Sequence, residues 1–411
     1  MSLPPSEPSE PSTGLSRRRL LLGGGATLAG GGLAGAAGAL ALSSPGVAAV
    51  VDPWKGAQTV PFHGEHQAGI ETAAQAHARF LALDLRPGAD ADHVRRLLRL
   101  LTDDAARLTQ GTVPLAAGDP ELPALPSRLT VTFGFGPGLF DAVGRGDDCP
   151  EVIRELPAFA TDRLQERWSG GDLMVQVCAD DAIPLSYALR RLVRDARDLA
   201  TVRWCQTGFN PARGSEPDGT TPRNLMGQRD GTANPSADTA EFGSTVWSSG
   251  PDWLKGGSML VFRRIRMDVD TWDDLGRPAK EMATARRLSD GSPVTGGSET
   301  DDPDTTAVDA QGLPVVAAEA HVVRATARTD AERMLRRGFS YDDGPDVDGN
   351  PDCGLLFAAY QADAAKAFVP VQQRLAESDA MNTWVTHVGS AAFVVPPGCA
   401  EGEFTGQALV G

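Results

Sequence analysis

Between Ala78 and Gly208 the apolar residues switch between the two-residue period of a strand and the 3.6-residue period of a helix. The order of those switches leaves few folds open. Phe80, Leu81, Leu83 and Leu85 predict a strand over Ala78–Leu85. Val94, Leu97, Leu98 and Leu101, at i, i+3, i+4 and i+7, predict a helix over Asp90–Leu108. Strands are expected at Leu129–Phe135 and Leu173–Cys178, a helix over Pro184–Leu199 through Leu185, Leu189 and Leu192, and a closing strand at Thr201–Gly208. The succession β-α-β-β-α-β is that of a ferredoxin-like unit.

The second half repeats the pattern. Ser258–Met267 reads as a strand, Trp272–Arg287 as a helix, Ala320–Val323 as a short extended segment and Gly354–Tyr360 as an apolar strand. Asp363–Leu375 reads as an amphipathic helix and Ala391–Val395 as a last strand. Ser289–Gln311, rich in Gly, Ser, Asp and Thr, is expected to be a long exposed loop. Its acidic residues lack the register of an EF-hand. The expected fold class is α+β, with two ferredoxin-like domains of antiparallel sheet and flanking helices. The expected divisions are 1–49, 50–215 and 216–411.

Residues 1–49 read as an address. Arg17-Arg18-Arg19 precedes the uncharged stretch Leu20–Ala41, in which eight of the 22 residues are glycine. That stretch is long enough to span a bilayer but only weakly apolar. With Val47-Ala48-Ala49 as a small-residue cleavage site, it reads as a twin-arginine (Tat) export signal, the alternative being an uncleaved anchor. The expected location is therefore periplasmic or extracellular, with the Tat translocase as a partner during export. The letters Gly30-x-Gly32-x-x-Gly35 match a dinucleotide fingerprint, but no strand precedes them and they lie inside this signal.

A net charge of −16 argues against nucleic-acid binding, which needs clustered cations. The five cysteines, at 149, 178, 205, 353 and 399, form no CxxC or CxxCH, so a zinc ribbon, a thioredoxin-like site and covalent haem attachment are unsupported. No GxSxG, P-loop or HExxH occurs. His63 and His66, three residues apart, read as loop residues before they read as a metal pair.

One segment stands out: Asn224-Leu225-Met226-Gly227-Gln228-Arg229-Asp230-Gly231-Thr232-Ala233-Asn234-Pro235. Alone it is an ordinary turn. Two others accompany it: His321-Val322-Val323-Arg324-Ala325-Thr326-Ala327-Arg328 and Met334-Leu335-Arg336-Arg337-Gly338-Phe339-Ser340-Tyr341. A third, Gly354-Leu355-Leu356-Phe357, runs on to Tyr360-Gln361. Together with His66-Gln67-Ala68-Gly69-Ile70, Gly134 to Phe140 and the strand Val261 to Arg266, the set resembles a dye-decolorising peroxidase over about residues 60–400. With its export signal, the chain is most similar to the branch that includes iron-transport-associated peroxidases and deferrochelatases.

The resemblance implies a dimeric α+β barrel-like family and a non-covalent haem b in the second domain. It places His321 as proximal iron ligand, Asp230 as distal acid and Arg336 as distal arginine, with Arg337 the rival. Haem contacts map onto Gly231, Thr232 and Ala233, and onto Thr326, Ala327 and Arg328. Asp352 is a candidate partner for the His321 N–H. Gln228 stands where an aromatic is more usual, and Thr326-Ala327 where Asn-Pro is common.

The implied activity is reduction of hydrogen peroxide and oxidation of one-electron donors such as dyes and phenols, through an oxo-ferryl porphyrin-radical intermediate. The alternatives are deferrochelation, which releases iron from haem, and a haem carrier without turnover. Implied partners are hydrogen peroxide, a small-molecule reductant, iron-uptake or copper-oxidase components and a second copy of the chain. The tryptophans and tyrosines, Tyr341 and Tyr360 among them, are candidate electron relays, although most aromatics are core residues.

Overall fold

The computed structural model describes residues 55–115 and 117–411. The export signal expected at 1–49 lies outside them. Among the described residues there are nine strands: β1 (His77–Leu85), β2 (Thr130–Phe135), β3 (Leu173–Ala179), β4 (Ala200–Phe209), β5 (Ser258–Met267), β6 (Leu335–Arg336), β7 (Phe339–Pro345), β8 (Pro351–Gln361) and β9 (Val385–Val395).

The first four strands stand in the order β2-β3-β1-β4 and the later ones in the order β9-β5-β8-β7, so each half is a four-stranded antiparallel ferredoxin-like sheet. Single bridges join the halves, Phe135 to Val394 and Phe209 to Ser340, and the sheet closes on itself as a barrel. Closure removes the free edges that a four-stranded sheet would expose. Phe80, Phe262, Phe339 and Phe393 from both halves fill the inside and are fully buried.

Outside the first sheet lie α1 (Ala91–Thr109) and α2 (Ala182–Ala196). The Asp90 carboxylate caps α1, accepting the His93 N–H at 2.9 Å, and Asp181 caps α2 through Ile183 at 2.7 Å. Val94, Leu97, Leu98 and Leu101 bury against Leu81 and Leu83, as their spacing predicts.

The second half departs from the sequence reading in four places. The helix expected over Trp272–Arg287 is two, α3 (Val269–Asp273) and α4 (Arg277–Thr284). Gly276 is the extended N-cap of α4, and Pro278 in its first turn bars a helix from running through, because the ring would clash with the carbonyl four residues back. Ala320–Val323 is not extended: His321 opens the short helix α5 (His321–Ala325). A four-residue apolar run fits either period, and the edge of β8 that such a strand would need is taken by β6 and β7. The helix expected at Asp363–Leu375 is α6, Phe368–Ser378, with Pro370 in its first turn where a missing N–H costs little. The expected exposed loop Ser289–Gln311 is exposed over most of its length, but Gly291–Pro293 are buried and Val294 packs with Ala285, Val316 and Ala320. Among the described residues no helix is long and apolar enough to cross a membrane, and no group of three His, Cys, Asp or Glu side chains is placed to hold a metal ion.

Candidate active site

A cavity of about 460 Å³ lies beside the second sheet. Its apolar walls include Ile265 and Met267 of β5, Leu355 and Phe357 of β8, and Phe368, Val371 and Leu375 of α6. Strand alternation explains the first two pairs: Ile265 and Met267 face out of the barrel because Leu260 and Phe262 face in. Into this space come Asp230, Gly231, Thr232, Ala233, His321, Thr326, Ala327 and Arg336. Arg328 is not among the lining residues; it is exposed and its N–H donates to Glu332 at 2.9 Å.

The Asp230 segment is a hairpin turn. The Asn224 side-chain oxygen accepts the N–H groups of Met226 and Gln228 at 3.0 and 3.2 Å. Gly227 sits at φ +80°, and Arg223 bridges to Arg229 across the turn. The Asp230 N–H donates to Pro222 at 2.9 Å, and Gly231 follows at φ +119°, a conformation that side-chain-bearing residues rarely adopt. Among the described residues the Asp230 carboxylate is in no ion pair.

Arg336 lies in β6, and its Nε is buried without a hydrogen-bond partner. The neighbouring Arg337 goes elsewhere. It is 6 % exposed and its guanidinium donates to the Ile70 and Thr72 carbonyls and, at 2.9 Å, to Gln75. One residue along a strand reverses the face, and here it separates a cavity arginine from a structural one.

His321 is the first residue of α5, and its Nδ1 lies 2.7 Å from an oxygen of Asp379, at the end of α6. Asp379 is 7 % exposed, and its other oxygen accepts the Met381 N–H at 2.9 Å. Burial disfavours the charged imidazole, but the charge and hydrogen bond of Asp379, with Asp230 adding to them and Arg336 opposing, leave the pKa above its ordinary value. Asp230 and Arg336 are thus close enough to His321 for their charges to bear on it. The crossing of α5 and α6 is tied by Arg324 donating to the Arg374 carbonyl at 3.0 Å and Arg374 donating to the Thr326 carbonyl at 2.9 Å.

Asp352, the partner expected for His321, is not at the site. It pairs instead with Arg264 at 3.1 Å, because it opens β8 on the inward face that Arg264 also occupies. Tyr341 and Tyr360 are fully buried in the barrel, Tyr360 donating to Gln176 at 2.9 Å. Sequence reasoning did not find Asp379, Arg286, Arg287 or His387, all of which line the cavity. Of these, His387 is held neutral, pushed down to about 3 by burial and by Arg263. Only the adjacent pair Arg286-Arg287 carried any signal, and a basic pair at a helix end is usually a cap.

Family models match both halves of the chain: "Dyp-type peroxidase, N-terminal" over residues 67–210 and "Dyp-type peroxidase, C-terminal" over 221–400. The chain belongs to the Dyp-type peroxidase family. It is 40 % identical to the dye-decolorizing peroxidase of Thermobifida fusca, across 98 % of this chain and 99 % of that one. It is 36 % identical to a deferrochelatase of Yersinia pestis, across 99 % and 97 %. Ferric DtpA from Streptomyces lividans has the same fold, with a TM-score of 0.82 at 43 % identity, covering 86 % of this chain and 98 % of that one.

As a member of this family the chain is a haem-dependent peroxidase. The residues present fit the cofactor. An imidazole whose Nδ1 is committed to a buried carboxylate leaves Nε2 free as an iron ligand, and the apolar walls suit a porphyrin face.

Proposed function

We propose that the chain holds a non-covalent haem b through His321 and reduces hydrogen peroxide at the expense of one-electron donors such as phenols and dyes. One observation carries this reading: a carboxylate free of ion pairs, a guanidinium with an unpartnered N–H and a carboxylate-bound histidine share one cavity. When bound, the haem would supply the two electrons that split peroxide, one from its iron and one from its porphyrin, and would regain them singly from the donor.

The chain's own residues handle protons and charge. Asp230 would take the proton from one peroxide oxygen and return it to the other, outer one, which departs as water. Arg336 stabilises the negative charge that grows on that outer oxygen as the O–O bond breaks. Asp379 accepts the His321 N–H and makes the imidazole a stronger electron donor. Gly231, Thr232 and Ala233 on one segment, and Thr326 and Ala327 on another, would border the porphyrin.

Stopped-flow spectra of haem-loaded Asp230→Asn and Arg336→Leu test this. Each substitution is expected to slow the reaction with peroxide by about 10²–10⁴-fold while the haem stays bound; wild-type rates in both would overturn it. His321→Ala is expected to abolish the native Soret band.

A second reading rests on the match to a deferrochelatase over nearly the whole chain. Anaerobic incubation with haem and a ferrous chelator separates the two, because deferrochelation yields intact metal-free porphyrin. The twin-arginine segment at 17–19 supports Tat export to the periplasm or beyond, and cleavage at Ala49 would be read from the N-terminus of secreted protein. The proposed functional division is 50–215 and 216–411, with haem in the second part.

A further inference from the structure

Arg336 and Asn234 are 102 residues apart and meet through two hydrogen bonds. The Asn234 side-chain oxygen accepts the Arg336 backbone N–H at 3.0 Å, and the Asn234 amide donates to the Arg336 carbonyl at 2.7 Å. A carboxamide offers one acceptor beside one donor, as a peptide group does, so Asn234 pairs with Arg336 as a strand residue would. The pairing is needed here. Arg336 stands opposite Ala359 of β8, while the next residue, Arg337, donates its N–H to Ala358 at 2.7 Å. Antiparallel alternation therefore turns the N–H and C=O of Arg336 away from β8, and Asn234 takes up both.

The other end of Asn234 belongs to the turn that carries Asp230. Its backbone N–H donates to the Gly231 carbonyl at 2.9 Å. A Cβ added at Gly231 would meet the Asn234 amide at 3.5 Å, so the turn and the clamp are packed together. A single side chain thus ties the segment holding the carboxylate to the strand holding the guanidinium.

We propose that Asn234 is a positioning residue that sets the relative placement of the Asp230 carboxylate and the Arg336 guanidinium. It rests on the acid–base reading of those two residues given above. Asn234 need not touch peroxide. It acts because a misplacement of about 1 Å between reacting groups can cost on the order of 10²-fold in rate. The rest of the enzyme should not register its loss: neither the His321–Asp379 pair nor the apolar walls involve it.

The test is a double-substitution cycle on haem-loaded protein. Asn234→Ala is expected to keep stoichiometric haem and to slow the peroxide reaction by about 10–100-fold. Asn234→Asp, which keeps the acceptor but loses the donor, should fall between Ala and wild type. In an Arg336→Leu background, Asn234→Ala should cost less than about twofold, since the group it positions is gone. Amide exchange of the peptide spanning residues 333–338, measured without peroxide, should accelerate in Asn234→Ala and reports the clamp independently of turnover.

Wild-type peroxide kinetics in haem-loaded Asn234→Ala, or an equal loss in both backgrounds, would overturn the inference while leaving the acid–base reading intact. A wild-type rate in Arg336→Leu itself would sink both. If Asn234→Ala fails to fold, Asn234→Asp carries the same cycle.

Discussion

Asp379 Oδ2 lies 2.7 Å from His321 Nδ1, joining two helices whose contributing residues are 58 positions apart. The carboxylate is itself fixed, with its second oxygen capping the Met381 N–H and its own N–H donating to Leu375 at 3.0 Å. It can therefore hold the imidazole ring in one orientation and one tautomer. A hydrogen-bond partner of this kind fixes the tautomer and orientation of a metal-ligating histidine and raises its basicity.

Asp379→Ala is expected to weaken haem affinity by about 10–100-fold and to raise the ferric/ferrous midpoint potential, because the imidazole becomes a poorer donor. Haem titration and spectroelectrochemistry measure both. Asp352→Asn should leave potential and Soret band unchanged and affect only stability, through Arg264. The opposite ranking of the two variants would contradict the assignment.

Arg337→Leu separates the adjacent arginines. It leaves the Gln75 side chain and two carbonyls without their donor, and the expected loss is about 2–4 kcal/mol of stability. Peroxide kinetics of the folded fraction should stay within about threefold of wild type. Denaturant unfolding and stopped-flow spectra, run side by side, check the two expectations.

Gly231→Ala forces a side chain into φ +119°. Strain of this kind costs about 1–3 kcal/mol, and relief of it would turn the peptide that follows Asp230. Activity is expected to fall more than melting temperature. A variant that melts several degrees lower yet turns over normally would show that the turn serves stability alone.

Asp104 gives the fold a pH dependence remote from the cavity. It is buried between α1 and α2, and burial, with Asp195 beside it, pushes its pKa up to about 7. A folded-state value above the unfolded one means the native protein binds an extra proton between roughly pH 4 and 7. The group's contribution is therefore most favourable at low pH and is lost as pH rises through about 7. Asp104→Asn should raise the melting temperature by about 2–4 °C at pH 8 and change it little at pH 4. Thermal melts across that range would show the difference.

Much of the barrel could be read from residue order. The runs around Phe80, Leu97, Phe133, Val175, Leu189 and Trp204 each have one period, and their succession names the first half. The second half was less legible where a segment was short. The apolar run Ala320–Val323 has too few residues to separate a strand from a helix, and β7 lay hidden in Phe339-Ser340-Tyr341, next to residues that drew notice for their charge. The cavity segments were legible because turn residues and charged residues at fixed spacing, such as Asn224, Gly227, Asp230 and Gly231, constrain the backbone locally.

The sequence by itself determined which residues could do chemistry: an aspartate in a glycine-bounded turn, a histidine, and an arginine pair. It determined the strand and helix order as well, because periodicity is a property of neighbours along the chain. Only the tertiary structure decided that Arg336 faces the cavity and Arg337 does not, that Asp379 and not Asp352 meets His321, and that Asn234 joins the Asp230 turn to β6. Each of those depends on which groups meet across tens or hundreds of residues. Such meetings are fixed by sheet register and helix crossing, to which no local pattern of side chains corresponds.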